Sequence, residues 1–296
     1  ITFALTMKMK LAQKLVMTYY KTRLRTLGMV SPRKAAELAY KIFSTPRNPS
    51  ATPKEPPVFH KAEKLPLNFN GIVLQGFRWI PTQSNGHKIL IAHGFSSYSY
   101  KFEKYVSLLK KQGFEVVAFD APAHGLSGGK RINSLLYRDA ILAIEQAFGP
   151  FYGMMGHSLG GLSATLAFKQ LNNQLARRLV IIAPATETWR SIDHFLGLFS
   201  ADEKLKQAFL DLIAELTHEP IDSISVSDAV KYIQSPIFWV HDKQDKICVF
   251  EDVQTMIDKK IPNIKFHITQ GLGHSFVYKE AQVSNEIVQF FKEGIN

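Results

Sequence analysis

A single cysteine, Cys248, stands in 296 residues. It rules out an intrachain disulfide, suits a reducing compartment, and makes a cytoplasmic location the expectation. No run approaches the roughly 18 uncharged apolar residues that a spanning helix needs, so an integral membrane protein is not expected. No repeat at solenoid period is present, and no low-complexity tract beyond one proline-rich stretch. The chain also lacks an excess of charge on its body. Its formal net charge is +11, yet residues 1–64 hold 13 Lys/Arg against 3 Asp/Glu and the remaining 232 hold 23 against 22. A nucleic-acid-binding core carries its positive field across the folded surface, so no nucleic-acid partner is expected.

What is there is a chain that is 46% apolar, enough for one α/β domain with an insertion. From Met7 to Leu27 it reads as a basic amphipathic helix. Lys10, Lys14, Lys21 and Arg25 share one stripe, and Met9, Ala12, Val16 and Tyr20 share another. Such a helix either packs its apolar stripe on its own domain or lies on an anionic membrane surface. Residues Ile1 to Met7 are not read as a signal peptide, being too short and followed rather than preceded by charge. A second helix is expected from Ser31-Pro32 to Phe43, with a capping serine and a proline at the first position. Thr45 to Pro57 then carries five prolines and reads as an extended linker.

Beyond Lys64 the period changes. Leu65 to Phe69 and Ile72 to Trp79 pair across Asn70-Gly71, a hairpin dipeptide. Continuous apolar runs at Lys88 to His93, Glu115 to Asp120, Phe151 to Met155, Leu179 to Ala183, Pro236 to His241 and Lys265 to Thr269 fit buried parallel strands. Helical stretches separate them, at Phe102 to Gln112, Ile132 to Phe148, Leu159 to Leu171, Phe250 to Lys260 and Ala281 to Lys292. This alternation predicts an α/β fold, with a doubly wound, mostly parallel sheet of about eight strands. Some fifty residues between the strands at 179–183 and 236–241 are too many for a crossover. They hold the apolar segment Trp189 to Ser200 and a helix from Ala201 to Leu216, read as a helical cap over the carboxyl ends of the strands. The expected organisation is a basic extension with linker over 1–63, a core over 64–187 and 235–296, and a cap over 188–234.

The chemistry centres on Gly156-His157-Ser158-Leu159-Gly160, a strand that ends in serine and turns at once into a helix. A G-x-S-x-G stretch in that context is a nucleophile elbow. A serine hydroxyl needs a base to take its proton, and the base needs a carboxylate to fix its tautomer. Asp245 and His274 supply these, each in a loop leaving the carboxyl end of a parallel strand. Backbone amides that receive an oxyanion are expected at Leu159, after the nucleophile, and at Phe95 in His93-Gly94-Phe95-Ser96.

His93-Gly94-Phe95, Asp120 to Ser127, the Ser158 pentapeptide, the Asp245 loop and the His274 loop occur in the order found in the α/β-hydrolase superfamily, which the chain resembles from about Leu65 onward. Two departures stand out. Asp242 replaces the glycine of the family's His-Gly-x-x-Asp pattern and becomes a rival carboxylate to Asp245, and Ala123 replaces a glycine after Asp120. The resemblance implies a serine hydrolase that cleaves a small-molecule carboxylic ester, or thioester, through an acyl-enzyme without a cofactor. An amidase or carbon–carbon bond hydrolase would use the same triad, and a non-catalytic receptor on the same fold is the alternative outside enzymes. Trp189, Phe195, Phe199 and His157 are the expected pocket residues, for an apolar acyl or aromatic group. His93 and His124 are expected to be structural or to line the pocket. His241, Asp242 and Asp245 can be drawn as a metal cluster, but the resemblance accounts for the carboxylate without a metal. If residues 7–27 contact membrane, binding to anionic liposomes weakens with salt and disappears on deleting residues 1–30; a co-sedimentation assay indifferent to that deletion rejects the contact.

Overall fold

In the computed structural model, residues 11–47, 54–172 and 174–295 are described. Residues 7–10 of the expected first helix and 48–53 of the proline-rich stretch lie outside them. In chain order the elements are α1 (Leu11–Val30), α2 (Pro32–Ser44), β1 (Glu63–Phe69), β2 (Ile72–Trp79), β3 (Lys88–Ala92), α3 (Glu103–Lys111), β4 (Glu115–Phe119), α4 (Ser134–Phe148), β5 (Gly153–His157) and α5 (Leu159–Phe168). Then follow β6 (Arg178–Ile182), α6 (Thr188–Leu198), α7 (Glu203–Thr217), α8 (Val226–Ala229), β7 (Ile237–Asp242), α9 (Phe250–Asp258), β8 (Ile264–Thr269), α10 (Gly273–Phe276) and α11 (Ala281–Lys292).

The eight strands form one sheet in the order β1-β2-β4-β3-β5-β6-β7-β8. Asn70 and Gly71 both take positive φ, 50° and 78°, as a two-residue hairpin turn requires, and they set the register Phe69 opposite Ile72. β2 runs antiparallel to β4, and every pairing from β4 to β8 is parallel. The strands are apolar throughout because both faces are covered. In β3, Leu90 and Ala92 enter the core shared with α4, α5, α8 and α9, while Ile89 and Ile91 enter the one shared with α3 and α11. β3 lies between β4 and β5, so the chain leaves it to one side and returns on the other. The crevice at that switch lies at the carboxyl ends of the strands.

The chain forms two compact units. Described residues up to Ser44 group with Trp189–Ile221, and Thr45–Thr188 groups with Asp222–Asn296. The boundaries differ from the expected ones at both ends of the insertion. Residues 222–234 belong with the sheet because Ile224, Val226, Ala229, Val230 and Ile233 are buried in its core. The insertion leaves and re-enters at one place, where Val226 donates its amide to the Thr186 carbonyl at 2.9 Å, Thr188 donates its hydroxyl to the Ile224 carbonyl, and Glu187 bridges Ser225.

The first unit is helical. Leu24 of α1 and Ala35, Ala36 and Ala39 of α2 are buried together with Ile192 and Leu196 of α6 and Phe209 and Leu212 of α7. The apolar segment from Trp189 is therefore helix α6, with its own interior to fill. Phe195 lies 5.1 Å from the Phe43 ring and 5.2 Å from Phe199, which is 6% exposed. Of these two phenylalanines, both expected to line a pocket, Phe199 is buried in the interior of this unit and Phe195 is half-buried and packs against it. On α1, Lys14 and Lys21 face water, but so does Val16 at 53% exposure, so the expected apolar stripe is only partly the buried one. Among the described residues no helix is long and apolar enough to cross a membrane. Phe209 is fully buried and packs on Tyr40, Phe43 and Phe195. Phe209→Ala is expected to cost about 3–5 kcal/mol, read as an earlier urea transition of the helical signal; an unchanged transition contradicts this packing.

Candidate active site

The elbow follows from steric exclusion. A Cβ on Gly160 would land on the carbonyls of Ala92 and His93, so only glycine lets α5 start this close to the end of β3. Ser158, between β5 and α5, takes φ 55° and ψ −121°, a conformation that costs a non-glycine residue about 1–3 kcal/mol. Three backbone hydrogen bonds hold it there. Its amide donates to Ile182 O at 3.0 Å, and its carbonyl accepts from Leu162 N at 3.1 Å and Ala185 N at 3.2 Å.

Ser158 Oγ lies 2.9 Å from His274 Nε2, and His274 Nδ1 lies 2.7 Å from Asp245 Oδ2. With the proton on Nδ1 directed at the carboxylate, Nε2 is left as the acceptor for the serine hydroxyl. Asp245 is enclosed, and its Oδ1 accepts the amides of Ile247 at 2.8 Å and Cys248 at 2.9 Å. Burial pushes this carboxyl up, but the His274 contact and the two amides outweigh it and hold it below the usual carboxylate range.

Asp242 faces elsewhere. Its Oδ2 accepts the Thr269 hydroxyl at 2.8 Å and the Leu272 amide at 3.0 Å, and its Oδ1 accepts from Gln244 N at 2.9 Å. It thus ties the acid loop to the loop that carries His274. His241 donates from Nε2 to the Cys248 carbonyl at 2.8 Å. Among the described residues no group of three His, Cys, Asp or Glu side chains is arranged to hold a metal ion.

The amides of Phe95 and Leu159 donate no hydrogen bond within the protein: neither finds a carbonyl or side-chain acceptor among the described residues. The two loops are close, since a Cβ on Gly94 would stand 3.1 Å from Ser158 Cβ. Two unpaired amides beside the Ser158 hydroxyl are suited to receive negative charge.

Three buried histidines brace these loops, a role that sequence reasoning left undefined. His93 donates from Nδ1 to Gly94 O at 2.8 Å and accepts from Ala121 N at 2.9 Å. His124 donates to Pro122 O at 2.9 Å and accepts the amide of Ser96, next to Phe95, at 2.9 Å. His157 donates from Nε2 to the carbonyl of His274 at 3.0 Å and is 7% exposed. It is therefore a support of the His274 segment, not the pocket residue expected. Trp189 is 42% exposed, with the Arg190 guanidinium 4.7 Å above its ring. Ala123, where the family pattern has glycine, adopts φ 64°, so the substitution preserves a glycine-like turn. Asp120 accepts from Ser99 N and Oγ, both at 2.7 Å, and from Leu126 N at 2.9 Å, tying the segment after Phe95 to the loop after β4. A histidine inside each of these three motifs was the available sequence signal for these braces.

The sheet order, the elbow and the loops at its carboxyl edge define the class: the chain has the α/β-hydrolase fold. The family described as serine aminopeptidase, S33, matches residues 83–220. The chain is 27% identical to monoglyceride lipase of Homo sapiens over 144 residues, 45% of this chain and 47% of that one. It spans about half the length of two curated relatives that it matches, 55% of one and 47% of the other. Among solved structures, Est1E from Butyrivibrio proteoclasticus with bound ferulic acid superposes with a TM-score of 0.62 at 22% identity, covering 78% of this chain and 99% of that one. An esterase of Pyrococcus furiosus gives 0.62 at 20% identity over 86% and 97%.

The buried histidines make stability depend on pH. Burial pushes His93 and His124 down to about 4 and His157 down to about 3. Unfolded, each titrates near 6.5. As pH falls below about 6.5 the unfolded chain takes up protons that the fold refuses, so stability is full above that value and is lost down to about 4 for His93 and His124 and about 3 for His157. The loss is at most about 1.4 kcal/mol per pH unit for each histidine. Asp120, raised by burial, works in the opposite direction, leaving a net loss. The urea midpoint is expected to be lower at pH 5 than at pH 7.5; an equal or higher midpoint contradicts the neutral-histidine account.

Proposed function

We propose that the chain is a serine hydrolase that cleaves a carboxylic ester through an acyl-enzyme. The observation that carries this reading is the continuous path from the Ser158 hydroxyl through His274 to Asp245, at 2.9 and 2.7 Å. Ser158 Oγ attacks the ester carbonyl carbon as its proton passes to His274 Nε2. The carbonyl electron pair moves onto oxygen, where the amides of Phe95 and Leu159 receive it. Each such donor is commonly worth about 3–4 kcal/mol of barrier. Collapse breaks the bond to the alkoxy oxygen, which takes the proton from His274 and leaves as alcohol. Water then repeats the sequence on the acyl-serine, with His274 acting first as base and then as acid. Asp245 keeps the imidazole in one tautomer and stabilises its charged form, and the cycle requires no cofactor.

The substrate class is supported by likeness to an esterase and a monoglyceride lipase, and an apolar acyl or aromatic ester is the proposed type. The burial of Phe199 and the packing of Phe195 against the same helical interior remove part of the ground for a large aromatic wall. The description of the matching family favours a second reading, an amidase with the same three residues.

A chain-length series of p-nitrophenyl esters, run beside aminoacyl p-nitroanilides, separates the two. Ser158→Ala and His274→Ala are each expected to lower kcat by about 10⁴-fold or more and to abolish labelling by a fluorophosphonate. Asp245→Asn is expected to cost about 10⁴-fold, whereas Asp242→Asn stays within tenfold of the parent. Labelling or turnover that survives in Ser158→Ala sinks the proposal, and a larger loss in Asp242→Asn than in Asp245→Asn reverses the assignment of the acid.

A further inference from the structure

Within the sheet unit, a half-open cavity of about 390 Å³ lies between the segment after Phe95, the start of α3 and the turn after α10. Its charged lining is Lys54, Lys101, Lys104 and Lys279 against the single carboxylate of Glu103, a net charge of 4 − 1 = +3. Three of these lysines and Glu103 belong to residues 65–296, which as a whole hold 23 basic and 22 acidic residues, so their excess is local. None of the four lysines forms a salt bridge among the described residues. Lys101 instead lies over the Tyr98 ring at 5.3 Å, Lys279 over Phe276 at 4.9 Å, and Lys104 donates to the carbonyl of Lys279 at 3.2 Å.

The remaining wall is aromatic. Tyr100 and Tyr278 are each 6% exposed, and Tyr105 secures the floor by donating its hydroxyl to Tyr278 O at 2.7 Å. The hydroxyls of Tyr98, Tyr100 and Tyr278 have no hydrogen-bond partner among the described residues and are not enclosed. Four lysines and three tyrosine hydroxyls thus offer donors to one cavity, and Glu103 is the one carboxylate that lines it, with Glu55 acting on Tyr100 from nearby. Like charges gathered in excess of their counter-charges repel one another, and an anion among them relieves that repulsion while forming charge-assisted hydrogen bonds. The volume lies in the range of about 300–1,000 Å³ usual for small organic ligands.

We propose that this cavity is a binding site for an organic phosphate, with the phosphate among the lysines and the organic body on the tyrosines. None of Ser158, Asp245 and His274 lines it. The Tyr278 ring nevertheless sits 4.7 Å from the ring of His157, which holds the His274 carbonyl. An occupant therefore presses on the same segment that positions the candidate base.

The test is isothermal titration of the full chain at low salt with adenosine 5′-monophosphate, glycerol 3-phosphate and inorganic phosphate. Lys101→Gln/Lys279→Gln is compared with Lys14→Gln/Lys21→Gln as a control for general charge. The expected result is saturable binding of an organic phosphate that weakens at least tenfold in the first variant and less than twofold in the control. Tighter binding of the nucleotide than of glycerol 3-phosphate identifies an aromatic body, and the reverse order identifies a glycerol-type body. Absence of saturable binding by every ligand, equal affinity in Lys101→Gln/Lys279→Gln, or an equal loss in the control overturns the proposal. Binding is read without turnover, so the outcome is independent of whether the chain hydrolyses esters.

Discussion

The backbone of Ser158 is the constraint on which the rest of the site depends. Its φ of 55° and ψ of −121° are unfavourable for any residue with a side chain, and the conformation persists because β5, β6 and α5 over-determine it. The amide is tied to Ile182 and the carbonyl is shared by Leu162 and Ala185. Relaxing that peptide would swing Oγ away from His274 and break three hydrogen bonds at once. A rigid central sheet, buried on both faces, is what makes such strain affordable.

Around this point the molecule spends buried polar groups on holding loops. His93, His124 and His157 each place one ring nitrogen on a carbonyl or amide of a loop that adjoins Ser158. Asp242 and Asp120 do the same as acceptors. Neutral imidazoles suit this task, since one nitrogen donates while the other accepts, and burial keeps the ring uncharged. The ionised groups are confined to places where several donors meet a carboxylate, as the amides of Ile247 and Cys248 do at Asp245.

Much of the core was legible because its signals are local. Asn70-Gly71 fixed a hairpin, apolar runs such as Ile89 to Ala92 fixed strands buried on both faces, and the order of Ser158, Asp245 and His274 fixed which loops to compare. The helical unit was harder. Phe195 and Phe199 read equally well as a pocket wall or as the inner face of a helix, because hydrophobic periodicity does not name the partner surface. That partner includes Phe43 and Ala36, more than 150 residues earlier in the chain, and no local pattern connects them. The same distance in sequence hid the braces, since a histidine beside a motif carries no sign of which carbonyl its ring will meet.

Composition and pattern by themselves determined the class of fold, the two-faced sheet and the identity of the three residues worth testing, because strand period, turn chemistry and motif order are properties of neighbouring residues. Only the tertiary structure put Asp245 within hydrogen-bond reach of the His274 ring, gave α1 and α2 a shared interior with α6 and α7, and gathered four lysines around one cavity. Those outcomes depend on which distant side chains the packing brings within a few ångströms, and hydrogen bonds and ion pairs act only over that range.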